Sequence, residues 1–107
     1  MNYEEQFNRN RIDWLYGLAR SDVSPSAVKV GLLFATFVQP EKRELVRPGY
    51  AWLMANAHVS RPTLARALKE LEAKGYLVIE RFNSYRSEYS LPFDGEAGWK
   101  PSVKKTD

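Results

Sequence analysis

Residues 49–91, GYAWLMANAHVSRPTLARALKELEAKGYLVIERFNSYRSEYSL, decide the fold. Leu53 and Ala57, then Leu64, Ala67, Leu68 and Leu71, recur at helical spacing, and only the stretch from Asn56 to Ser60 separates the two sets. The pattern predicts two short helices joined by a tight turn. Ser60 ahead of Arg61-Pro62-Thr63 is a helix start, because its hydroxyl accepts an orphan backbone N–H and proline is tolerated in the first turn. Lys74-Gly75 is a helix stop, and the chain then enters the β-rich run Tyr76-Leu77-Val78-Ile79. Val78 to Phe82 and Ser87 to Leu91 read as two strands joined by Asn83-Ser84-Tyr85-Arg86, a turn-forming stretch with aromatic and basic side chains.

Two helices in tandem followed by a hairpin is the layout of a winged helix-turn-helix. On the second helix the apolar positions share one face and leave Ser60, Arg61, Thr63, Arg66 and Lys69 on the outer side. From Arg61 to Lys69 three residues are basic and none is acidic; Glu70 and Glu72 come only afterwards. Such a helix is suited to enter the major groove of DNA N-terminus first, with arginine pairing to guanine and threonine meeting a base edge or a thymine methyl. The competing reading is a basic face that is merely solvated. The hairpin tips the choice, because a wing lies beside the DNA backbone, where Arg81, Tyr85 and Arg86 are placed to meet phosphate or a minor groove. For Tyr85, ordinary cross-strand packing is the alternative.

Charge placement agrees. The net charge is +3; residues 1–40 carry four basic and four acidic side chains, residues 41–91 nine and six, and residues 92–107 three and three. The excess therefore falls in the segment with the basic helix and wing. A chain of 107 residues is expected to form one domain, here residues 1–91 with residues 24–91 as its core, and to leave residues 92–107 as a tail. The absence of cysteine excludes disulfides and thiolate metal sites and suits a reducing cytoplasm. MNYEEQFNRNR lacks the basic and then apolar character of a secretory leader, and the apolar run from Val30 to Val38 is too short for a membrane span, so a cytoplasmic protein without membrane association is expected.

Upstream, Ser24-Pro25-Ser26 opens a helix running to about Val38, apolar on most sides and so expected to support the two DNA-reading helices from behind. Leu45-Val46 is a candidate extra strand for the wing sheet. Lys42, Arg43 and Arg47 lie in the intervening connection, as phosphate contacts or as solvated loop residues. Tyr3 to Arg20 is a flanking helix whose stripe of Phe7, Ile12, Trp14, Leu15, Leu18 and Ala19 either caps the domain's own core or meets a second copy. In the expected flexible tail, Phe93 and Trp99 are the notable side chains, and Lys104-Lys105 the basic pair.

SPSAVKVGLLFATFV (24–38) and VSRPTLARALKELEAKGYLVIER (59–81) resemble the helix-turn-helix domains of plasmid and phage replication proteins and small regulators of mobile elements. The resemblance spans Ser24 to about Leu91 and implies that Arg61, Thr63, Arg66 and Lys69 face DNA. It also implies a glycine in the turn where this chain has His58, a residue that tolerates a left-handed backbone better than most.

An enzyme is not expected: a single histidine, no cysteine and no glycine-rich phosphate loop leave no nucleophile, metal site or nucleotide cradle, and Glu70 and Glu72 sit on different helix faces. No cofactor is expected either. The reading is a sequence-specific double-stranded DNA-binding protein acting as a transcriptional regulator of a mobile element, as a homodimer or cooperative oligomer. The alternatives are an architectural excisionase or recombination directionality factor, a plasmid replication or partition factor binding tandem sites beside a recombinase or replication protein, and a winged-helix module that binds protein.

Overall fold

The computed structural model describes residues 2–37, 45–46, 48–83 and 86–92. The expected tail with Phe93, Trp99, Lys104 and Lys105, the connecting residues Lys42, Arg43 and Arg47, and Tyr85 lie outside the described residues. The chain is mainly α with a small antiparallel sheet, in the order α1 (Tyr3–Ala19), α2 (Pro25–Phe37), β1 (Leu45–Val46), α3 (Tyr50–Ala57), α4 (Arg61–Ala73), β2 (Val78–Asn83) and β3 (Arg86–Ser90). Helix, turn, helix and hairpin thus follow one another as the 49–91 pattern predicts. Leu45-Val46 does join the sheet, whose strand order is β1-β3-β2. No helix among the described residues is long and apolar enough to cross a membrane.

Several helix boundaries have a local cause. Asn2 and Glu5 form a capping box at α1: the Glu5 N–H donates to Asn2 Oδ1 at 2.8 Å and the Asn2 N–H to Glu5 Oε1 at 3.2 Å. Ser24 Oγ accepts the Ala27 N–H at 3.2 Å. α4 ends in a Schellman motif, the Tyr76 N–H reaching Leu71 O at 2.9 Å and the Gly75 N–H reaching Glu72 O at 3.2 Å, with Gly75 at φ 85°. α3 ends in the same manner, Val59 N–H to Met54 O at 3.2 Å, but its left-handed residue is His58, at φ 58° and ψ 48°. His58 is the one non-glycine with positive φ among the described residues, so the departure from glycine leaves the turn geometry intact.

α2 is the central support, packing against α1, α3 and α4 and burying Ala27, Val30, Phe34 and Ala35. Leu64, Ala67, Leu68 and Leu71 of α4 and Leu53 and Ala57 of α3 close over it. α1 docks through Phe7, Asn10, Trp14 and Leu18. The close approach of α1 to α2 depends on Gly31, where a Cβ would stand 2.6 Å from Leu18 Cδ2. The Trp14 indole N–H donates to Tyr76 O at 3.1 Å, and the two rings meet edge to face at 5.8 Å. The Tyr76 hydroxyl in turn donates to Gly17 O at 3.1 Å, and burial raises its pKa, which keeps that proton in place.

Two expectations change. The α1 stripe is narrower than its apolar residues suggest: Trp14 and Leu18 belong to the domain's own core, whereas Ile12 and Tyr16, each 63% exposed, lie on the opposite side. Ala19 is exposed too. The buried positions 7, 10, 14 and 18 hold one helical face that residues 12, 16 and 19 miss. The strand starts at Val78 as expected, after the Schellman turn has sent the Tyr76 and Leu77 side chains into the core. Asn83 and Arg86 are paired ladder residues, not loop, since a register shift between Arg81 and Asn83 lets the hairpin continue by one residue on each side.

Filling the Gly31 notch should be costly. Gly31→Ala is expected to destabilise by about 1–3 kcal/mol through overpacking against Leu18, measured by urea unfolding. His58→Gly should do the reverse and raise stability by up to about 1 kcal/mol by removing the left-handed strain of a side-chain-bearing residue; a lower urea midpoint would show that the turn is not strained.

Candidate nucleic-acid interface

α4 sorts its charges by end. At its C-terminal half the Glu70 carboxylate reaches 46 residues back to α2, accepting the Ser24 N–H at 3.0 Å and the Ser24 hydroxyl at 2.9 Å. That carboxylate therefore caps α2 together with Ser24 itself. Glu72 takes Arg81 of β2 in a two-pronged contact at 3.4 Å on each side. Lys74 pairs with Asp22 at 2.7 Å, and that hydrogen bond, reinforced by the ammonium's charge, lowers the Asp22 pKa. Both acids of α4 and its last cation are thus turned toward the rest of the domain.

The residues ahead of Glu70 present the opposite picture. Arg61, Arg66 and Lys69 are exposed, Thr63 is half-buried, and among the described residues no carboxylate pairs with any of the three cations. Arg61 lies over the Tyr50 ring of α3, its guanidinium carbon 4.8 Å from the centroid. Arg66 Nη2 donates to Thr63 Oγ1 at 3.3 Å. Neither arginine depends on an acid for its orientation.

Ser60 stands at the N-cap of α4 and Arg61, Thr63, Arg66 and Lys69 lie along its length, while Arg81 belongs to β2 and Arg86 to β3. Ser60 is first of all a cap, its Oγ accepting the Thr63 N–H at 3.3 Å. Arg81 is exposed and pairs with Glu72 at 3.4 Å. Arg86 opens β3 opposite Asn83. Sequence reasoning missed Tyr50 as the support for Arg61 and Glu70 as the cap of α2. The only sequence signal for Tyr50 was an aromatic at the start of α3; nothing local marks the Glu70 contact.

Protein-family models, curated proteins and solved structures give no match to this chain.

A cap and a ligand contact at position 60 predict different outcomes. Ser60→Ala is expected to lower stability by about 0.5–2 kcal/mol, and Ser60→Asn to restore it, both read from thermal unfolding without DNA; an unchanged Ser60→Ala midpoint would show that the hydroxyl does not hold the helix start.

Proposed function

We propose that the protein binds double-stranded DNA sequence-specifically and acts as a transcriptional regulator of a mobile element, in the cytoplasm and without catalysis. One observation carries this reading: Arg61, Arg66 and Lys69, which precede the acids on α4, are exposed and have no acid partner among the described residues, while Glu70 and Glu72 are drawn away to Ser24 and Arg81. A surface that only needed solubility has no reason to separate its charges so, because mixed charges solvate equally well. Arg61, Thr63, Arg66 and Lys69 occupy the major groove in this proposal, and the Arg86 end of the hairpin lies along the backbone. Ile12 and Tyr16, facing away from the core, support association of two copies on a two-fold site.

The test is fluorescence anisotropy of the purified protein on duplexes carrying its own upstream region, beside a scrambled duplex, over a salt series. Arg66→Ala is expected to weaken the specific complex by about 1–3 kcal/mol and to narrow the gap between specific and scrambled DNA. Equal binding of parent and Arg66→Ala to both duplexes would overturn the assignment. Footprinting separates the roles: one protected palindrome is expected of a regulator, whereas a ladder of protection spreading with concentration would replace that role with an architectural or replication one. Absence of any protection would favour a protein-binding module.

A further inference from the structure

The outer polar groups of α4 are bonded to one another in a defined order. The Ser60 hydroxyl donates to Thr63 Oγ1 at 3.1 Å, and Arg66 Nη2 donates to the same oxygen at 3.3 Å. A hydroxyl oxygen has two lone pairs and one proton. Thr63 Oγ1 is thus engaged from two sides, by Ser60 and by Arg66. Arg66 spends one N–H of its five on Thr63 and keeps the others. Arg61 holds its guanidinium over the Tyr50 ring, a contact that uses none of its N–H donors. Lys69 can only donate. From Arg61 to Lys69 the exposed polar side chains, two arginines and a lysine, present donors and no acceptor, whereas Thr63 is half-buried.

That inventory selects among base edges. Adenine shows an acceptor beside a donor and asks for asparagine or glutamine, neither of which occurs between positions 61 and 69. Cytosine shows a donor and asks for an acceptor. Guanine alone shows two adjacent acceptors, N7 and O6.

We infer that α4 reads a guanine edge through Arg66, and that Thr63 is the positioning residue which holds the Arg66 guanidinium along the helix by accepting its Nη2 hydrogen bond. The inference rests on the DNA-binding reading and names its target. Phosphate oxygens accept hydrogen bonds as well, so the experiment separates the two sources.

A pool of randomised duplexes is selected with the full chain and sequenced, and the recovered site is resynthesised with 7-deazaguanine, which lacks the N7 acceptor. A recurrent G·C pair is expected. Replacing that guanine should weaken binding about tenfold or more, and Thr63→Val, of equal shape but without the hydroxyl, should lose most of the discrimination while Thr63→Ser keeps it. In an Arg66→Ala background Thr63→Val should have no further effect on discrimination, as expected when one residue acts through the other. Circular dichroism confirms that each variant is folded. Selected sites without a recurrent guanine, tolerance of 7-deazaguanine, or additive effects of Thr63→Val and Arg66→Ala would each overturn the inference while leaving DNA binding in place. Tolerance of 7-deazaguanine with a shallower salt dependence in Arg66→Ala would assign Arg66 to phosphate instead. Failure to retain any duplex would overturn the DNA-binding reading, and this inference with it.

Discussion

The indole of Trp14 stands where three parts of the chain meet. Its ring lies against the notch left by Gly31 of α2, its edge meets the Tyr76 ring, and its N–H satisfies the Tyr76 carbonyl, a backbone group just past the end of α4. A buried carbonyl without a donor costs about 1–3 kcal/mol, so the helix that looks like an accessory is what permits the chain to pass from α4 into the sheet inside the core. The Tyr76 hydroxyl reciprocates by donating to Gly17. α1 and the α4–β2 junction are therefore fixed to each other from both ends of one tyrosine, and the orientation of α4 relative to the remaining helices follows.

Charge is arranged on the same helix with a similar division of labour. The C-terminal half of α4 spends its carboxylates on structure, one on the α2 start and one on the hairpin, while the N-terminal half keeps its cations exposed. Exposed ion pairs are worth little, about 0–1 kcal/mol; the value of the Glu72 contact lies in keeping Arg81 and that carboxylate occupied with each other. Glu70 contributes more directly, since it meets both a backbone N–H and a hydroxyl at a helix start.

What the sequence made legible was local. Ser24-Pro25, Ser60 with Pro62, and Gly75 marked helix limits through capping chemistry that acts within a few residues, and Leu64, Ala67, Leu68 and Leu71 marked the buried face of α4 through its period. His58 was legible as a left-handed position because the turn required one. What stayed hidden was long-range or a matter of phase. Trp14 finds its acceptor 62 residues away, and Glu70 its donors 46 residues away; no spacing rule connects such pairs. Ile12 and Ala19 look like members of the α1 stripe by composition, and only the phase set by Phe7, Trp14 and Leu18 sends them outward. For the candidate interface, the sequence placed Arg61, Thr63, Arg66 and Lys69 on one side of a helix but was silent on what orients them, because Tyr50 comes from another helix and the Thr63 contact is a choice of rotamer. The hairpin limits shifted because a bulge is invisible in a two-residue period.

The sheet order has a topological consequence. β1 lies before the two tandem helices in sequence and β3 after them, yet Leu45 is paired with Ser90 and Val46 with Tyr89. The chain that contains α3, α4 and the hairpin accordingly leaves and returns at neighbouring points, closing on itself as a loop fastened at its neck by a β ladder. The ladder holds the two ends of that segment side by side, so α3, α4 and the hairpin are anchored at both ends to the same place on the frame. The stretch from 45 to 90 thus has the form of a cassette, with α1 and α2 as the frame that receives it.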